Sequence, residues 1–333
     1  MPLFVTAIFL SAFLLFQVQP VIARYILPWY GGSPSVWTTC LLFFQVGLLG
    51  GYAYAHGLVS ALREKRGWQV GIHLGLLGLA MVFLPITPSD ELKPTGGDDD
   101  PIWGIVRLLT STVGFPYLLI SASGPLLQHW FGEAYPTRSP YRLYAISNIG
   151  SMLGLLTYPF LFEPMFTVTK QTVIWSIAFV VYGLFAVGCG YAFLKHRSKN
   201  EVTSADIDEK TDTTPLLDKL LWIAFPACGS MLLLALTNQM CQDVAVVPFL
   251  WVLPLSLYLL TFVIAFDHAR WYYRPVAIPL AVLAVAAVVI LIHRESADEE
   301  MHISRQIAIY CSAIFFGCLV CHGEAARIKP ASR

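Results

Sequence analysis

The residues of this chain most able to do chemistry are amides and carboxylates embedded in apolar sequence. Gln17, Gln19, Gln45, Asn148, Glu163, Asn238, Gln239, Gln242 and Asp243 all fall within or at the ends of long hydrophobic runs. A polar or ionisable side chain at membrane depth is costly, so each such residue is a candidate for a solute or ion path. Prolines stand near several of them, at 20, 159, 164, 248 and 254. A helix broken by proline exposes carbonyls that can line a polar cavity. Amides together with the carboxylates Glu163 and Asp243 would suit a cationic, polyamine-like solute. The plainer alternative is that the amides bond neighbouring helices and both carboxylates, near the outer ends of their runs, sit in the external interface.

Other chemistry-bearing groups point less far. Cys318-Leu-Val-Cys321-His322 has the C-x-x-C-H spacing of covalent haem attachment, but it lies inside an apolar helix with bulky flanks, so no haem is expected. Zinc is not expected either, since a second ligand pair at usable spacing is missing. The seven cysteines are odd in number and mostly in apolar runs, which describes small buried hydrophobes rather than a disulfide framework. His56, His129 and His322 fall near the ends of apolar runs and read as interfacial residues, and Arg107 as a snorkelling one. The acidic stretch from Ser89 to Pro101 reads as a solvated external loop. No serine or cysteine nucleophile with a paired base is visible, so no catalytic residue, cofactor or metal is assigned.

The elements that must position these groups follow from composition. Hydrophobic residues make up 56% of the 333 and charged residues only 13%, against roughly a quarter charged in an average globular chain. Net charge is zero, so no overall field attracts nucleic acid. Runs long enough to cross a bilayer lie near 2–23, 36–60, 68–88, 102–128, 141–163, 171–194, 217–241, 247–266, 276–293 and 303–322. They lack the alternation of barrel strands, so the expected fold is an all-α polytopic bundle of about ten spans. The first run has no basic residues before it and reads as a retained span rather than a secretory signal.

The connections orient the bundle. Fifteen of the 21 basic residues follow even-numbered spans and five follow odd-numbered ones. Basic residues favour the cytoplasmic side, so both termini are expected there, in a bacterial inner membrane. A polar, charged stretch at 196–216 reads as a cytoplasmic linker. It separates a first half of six spans (1–195) from a second of four (217–323), followed by a cytoplasmic tail (324–333). Trp37 and His56 in the first half are echoed by Trp251 and His268 in the second, and Gln17 and Gln19 by Gln239 and Gln242. Such a parallel repeat is a transporter arrangement. Gly47 with Gly51, Gly150 with Gly154, and Gly183 with Gly188 and Gly190 read as close-packing positions. Tyr52, Tyr54, Trp271, Tyr272 and Tyr273 read as a belt at the membrane surface.

At these residues the chain resembles a known family. Phe16-Gln-Val-Gln-Pro20, Ile26-Leu-Pro-Trp-Tyr-Gly-Gly32, Val36-Trp-Thr-Thr-Cys40, Phe43-Phe-Gln45 and Gly51-Tyr-Ala-Tyr-Ala-His56 are similar to the membrane region of bacterial fused major-facilitator-like/spermidine-synthase proteins. So are Ser139-Pro-Tyr-Arg-Leu-Tyr-Ala145 with Asn148, Tyr158-Pro-Phe160 with Glu163-Pro164, and Asp243-Val244. Val247-Pro-Phe-Leu-Trp-Val-Leu-Pro-Leu255 and Cys321-His-Gly-Glu324 complete the set. The resemblance implies six spans of a major-facilitator half plus four of a second. The resembling proteins continue into an aminopropyltransferase-like domain, whereas this sequence has no glycine-rich strand-to-helix turn with a following acidic residue. It is therefore not expected to be an enzyme. The expected function is a transporter-like module that binds or moves a small, cationic solute. The alternative is a non-transporting anchor or scaffold for a partner such as an aminopropyltransferase-like enzyme. A weaker alternative is a subunit of a membrane redox complex. Expected partners are thus the lipid bilayer, a small solute and a protein in the membrane or cytoplasm, with no nucleic acid.

Overall fold

The computed structural model describes residues 1–31, 33–94, 101–136, 141–196, 215–244, 248–295 and 301–328. Most of the expected linker, together with Asp98, Asp99, Asp100 and Arg138, lies outside them. Among the described residues the regular structure is all helical. The helices are α1 (Pro2–Tyr30), α2 (Pro34–Ala61), α3 (Arg66–Ala80), α4 (Pro101–Leu109), α5 (Phe115–Ala134), α6 (Tyr141–Thr157), α7 (Glu163–Met165) and α8 (Val168–Lys195). They continue as α9 (Leu216–Val244), α10 (Pro248–Asp267), α11 (Arg274–Glu295) and α12 (Ile303–Arg327). Two π-helical turns, Thr110–Gly114 and Tyr158–Phe162, join α4 to α5 and α6 to α7. Proline sits at the margin of the first, as Pro116, and inside the second, as Pro159. Lacking an N–H and clashing with the carbonyl four residues back, proline favours this widening.

Among the described residues, eight stretches are long and apolar enough to cross a membrane: Pro2–Tyr30, Thr38–Ala61, Pro101–Ala134, Arg142–Met165, Val168–Lys195, Leu216–Met240, Arg274–Arg294 and Ile303–Arg327. The other two expected spans are shorter as apolar helices: α3 has 15 residues, and α10 contributes Val252–Asp267. Surface chemistry agrees with lipid as the solvent. Leu42, Val46 and Leu49 follow one another at helical spacing on α2 and are 60%, 60% and 69% exposed. On α8 the same outward stripe runs through Val173, Ile177, Leu184, Val187 and Tyr191. Helices of a water-soluble protein would carry polar residues there. This is a membrane protein.

The chain divides into two compact units, Met1–Lys199 and Asn200–Arg333. In the first, α1 is the central helix and packs on α5, α6 and α8. Phe4, Ile8, Leu14, Val18 and Ile22 are fully buried along it. Its contact with α6 is glycine-mediated. A methyl group on Gly150 would stand 2.5 Å from the Phe9 carbonyl oxygen, and one on Gly154 would collide with the Phe13 carbonyl. Small residues four apart let backbones touch, which in lipid replaces the hydrophobic drive that water would supply. Gly51 plays the same part between α2 and α5, where a Cβ would meet Ser121 Cβ at 2.5 Å. The expected close-packing roles of Gly47, Gly51, Gly150 and Gly154 hold. Gly31 takes φ of 81° and donates its N–H to the Leu27 carbonyl at 3.0 Å, closing α1 before the chain turns into α2.

In the second unit α12 is central and packs on α9, α10 and α11. Trp222 on α9 donates its indole N–H to the Ile328 carbonyl at 3.0 Å, which sets the start of α9 beside the end of α12. Gly323 lies against the Tyr272 ring, with no room for a Cβ.

Candidate functional site

Helix register in the first unit brings three buried polar groups to one level. Gly150 meets Phe9 and Gly154 meets Phe13, so α1 and α6 run parallel with a constant offset. One further turn sets Tyr158 level with Gln17. On the other side α8 is antiparallel to α1: Gly188 abuts Leu3, and Trp175 donates its indole N–H to the Leu14 carbonyl at 2.9 Å. Continuing that register sets Gln171 at the level of Gln17. Gln17 and Gln171 are 2% and 1% exposed, and Tyr158 is also buried. Gln17 Nε2, Tyr158 OH and Gln171 Oε1 are each buried without a hydrogen-bond partner. Buried polar groups are nearly always paired, so three orphans at one level ask for a ligand or water. The backbone adds to them: Pro20 has no N–H for the Phe16 carbonyl, and the π turn at Tyr158–Phe162 begins at the same height.

This level lies between two ion pairs at opposite ends of the unit. At one end Arg24 on α1 meets Glu163 on α7, Nη1 to Oε1, at 2.8 Å. At the other, Arg66 on α3 meets Glu133 on α5 at 2.7 Å, and His129 Nε2 approaches the same carboxylate at 3.1 Å. Phe4 of α1 packs on Phe131 and Tyr135 next to that second pair. From Phe4 to Arg24 the helix rises about 30 Å, the thickness of a bilayer's hydrocarbon.

A buried polar chain supports the Arg66 end. Trp130 donates to Gln69 Oε1 at 3.3 Å, and Gln69 Nε2 donates to the Leu62 carbonyl at 2.8 Å. His73, fully buried, sets its ring edge-on to Trp130 and its Nδ1 lies 3.5 Å from Tyr54 OH. We expect Gln69→Leu to leave the Trp130 N–H unpaired, at about 1–3 kcal/mol, while the Leu62 carbonyl keeps the Lys65 N–H at 2.9 Å. A lower thermal midpoint of the detergent-solubilised protein would register it, and an unchanged midpoint would contradict it.

The expected site residues fare differently. Gln17 and Glu163 belong to the first-unit arrangement. Gln19 is half-buried on α1, near Tyr117 of α5. Asn148 is buried but donates to the Tyr144 carbonyl of its own helix at 2.9 Å. Gln45 and Asn238 are exposed, and Gln239 is half-buried in α9. The side chains of Gln242 and Asp243, with those of Trp37 and Trp251, lie outside the described residues. Sequence reasoning missed Arg24, Tyr158, Gln171, Gln69 and His73. Gln69 and His73 carried a signal, two polar residues four apart on one face of an apolar run. Gln171 carried less, standing at the start of its run like a cap.

In the second unit the C-x-x-C-H residues are taken up in helix packing. Cys318 Sγ donates to the Gly229 carbonyl at 3.4 Å. Thr261 Oγ1 donates to the Tyr258 carbonyl at 2.7 Å, so it accepts from His322 Nδ1 at 2.8 Å. That assignment leaves His322 Nε2 a bare lone pair, buried and without a partner, on a ring stacked 3.6 Å from Phe262. Among the described residues no group of three or more His, Cys, Asp or Glu is placed to hold a metal ion. Glu324 joins three elements. It accepts from Tyr272 OH at 2.8 Å, pairs with Arg274 at 3.1 Å and has Arg327 at 3.5 Å. Burial and the neighbouring carboxylate push the Tyr272 phenol well above its ordinary pKa, so it stays a donor to Glu324. No family model, curated protein or solved structure matches the chain.

Proposed function

We propose that this chain is a transporter-like module of a bacterial inner membrane, binding a small polar solute at the level of Gln17, Tyr158 and Gln171. The observation that carries this reading is the set of three buried, unpartnered polar atoms on three helices at one height of the first unit. An amide donor, an amide acceptor and a phenol that does either can together hold a polar solute. The ion pairs at the two ends suit gates that open alternately around a fixed site. A ten-span, major-facilitator-like bundle with both termini cytoplasmic fits the basic-residue bias, the parallel run of α1 and α6, and the resemblance to fused spermidine-synthase membrane regions. A cationic or polyamine-like solute would use Glu163, whose carboxylate Arg24 now holds.

The test is uptake into proteoliposomes containing the purified chain, offered radiolabelled 1,4-diaminobutane or glycine. Uptake of one of them should exceed that of empty liposomes and fall at least tenfold in the Gln17→Leu, Tyr158→Phe double variant. Uptake at the empty-liposome level for both solutes, or uptake indifferent to the double variant, would overturn the reading.

A further inference from the structure

The Arg24–Glu163 pair carries an inference that goes one step past the solute site and rests on it. Arg24 lies seven residues beyond Gln17 on α1, two helical turns or about 10 Å of rise. On the facing chain Glu163 lies five residues beyond Tyr158, past the π turn. Positions 17, 21, 24 and 28 fall on one face of α1 at the helical period. The pair therefore stands over the unpartnered Gln17 Nε2 and Tyr158 OH, and its side chains remain 37% and 44% exposed. A second buried phenol without a partner, Tyr25 OH, adjoins Arg24 in the chain.

Charge accounting selects what could enter there. A solute carrying only positive charge can take Glu163, but it then leaves the Arg24 guanidinium unpaired near lipid. A solute carrying only negative charge can take Arg24 and leaves Glu163 unpaired. At the edge of the hydrocarbon a charge with a partner is favoured over one without, so a solute that supplies both partners is favoured over one that supplies a single charge. A solute with one carboxylate and one ammonium replaces one internal ion pair by two, with no change in the local net charge. Arg24 offers a planar fork that matches a carboxylate. Glu163 offers only acceptors, which match an ammonium.

We propose that Arg24 and Glu163 form the clamp for a small zwitterionic, amino-acid-like solute, with Arg24 taking its carboxylate and Glu163 its ammonium. The remaining polar or apolar part of the solute reaches down toward Gln17 and Tyr158. Closing the pair on itself, as here, is the resting arrangement, and the solute opens it by offering each partner a replacement.

Three probes of equal chain length separate the charge classes: 5-aminopentanoate, 1,5-diaminopentane and glutarate. Each is added at 10 mM to the detergent-solubilised full chain, and the thermal midpoint is read. We expect 5-aminopentanoate alone to raise it by several degrees, and Arg24→Gln and Glu163→Gln each to abolish that shift. Should either variant fail to fold by circular dichroism and size-exclusion chromatography, Arg24→Glu with Glu163→Arg restores the pair. That double variant should recover both the fold and the zwitterion shift. An equal or larger shift with the diamine or the diacid, lost in Gln17→Leu, overturns the zwitterion assignment and leaves the solute site standing. No shift with any probe overturns the assignment as well. The solute-site reading falls with it only when proteoliposome uptake is also indifferent to Gln17→Leu with Tyr158→Phe.

Discussion

Gly150→Leu combined with Gly154→Leu should remove most of the folded protein. Each glycine lies against a backbone carbonyl of α1, Phe9 and Phe13, where even a methyl group has no room. A flexible neighbour can move aside, but a helix backbone can yield only by shifting the whole helix. That shift would pull α1 from its register with α6 and disturb its seat on α5 and α8 as well. Overpacking a core usually costs about 1–3 kcal/mol per site. Two sites in one contact, both against backbone, should cost at least about 3 kcal/mol, a large fraction of the marginal stability of a folded domain. The expected readout is loss of the monodisperse peak in detergent and a sharply lowered thermal midpoint. Gly71→Leu is the control, because nothing lies within 4 Å of a Cβ built there. If both proteins behaved alike, the glycine contact would not be what holds α1 to α6.

Glu324→Lys should open the second unit where α11 begins and α12 ends. The carboxylate accepts from Tyr272, pairs with Arg274 and has Arg327 beside it, and its side chain is only 15% exposed. A lysine there sets three cations together and leaves the Tyr272 hydroxyl without its acceptor. The two arginines are 56% and 52% exposed, so losing their partner costs only about 0–1 kcal/mol each, and the orphaned Tyr272 hydroxyl adds about 1–3 kcal/mol. The backbone N–H groups of Val276 and Ala277, bonded to the Tyr273 carbonyl at the start of α11, should exchange hydrogen at least tenfold faster. Glu324→Gln keeps an acceptor for Tyr272 and should fall between the two. Equal exchange in all three proteins would mean that Glu324 does not hold α11 to α12.

These consequences separate what could be read along the chain from what could not. The apolar runs and the small-residue spacings were legible because both are local. Lipid demands helices of a certain length, and glycines four apart mark one face whatever they meet. Gln17 and Glu163 were legible for the same reason, since a polar residue in an apolar run stands out without any neighbour. Asn148 stood out equally, yet it spends its amide on its own helix, which spacing alone does not reveal. Gln45 and Asn238 were drawn in by type and are exposed.

Sequence by itself determined that this is a helical membrane protein, because the solvent preference of each segment is a sum over its own residues. Proline was a weaker guide: Pro159 falls in a π turn, but α1 runs on through Pro20 and α10 through Pro254. Tertiary structure alone decided which polar groups share a level. That follows from the offset between α1 and α6 and the opposed run of α8, set by contacts between residues more than 130 positions apart. Arg24 read as one more basic residue at the end of a span until α7 brought Glu163 to it at 2.8 Å. Hydrogen bonds and ion pairs act over a few ångströms, so their partners are fixed by packing rather than by spacing along the chain.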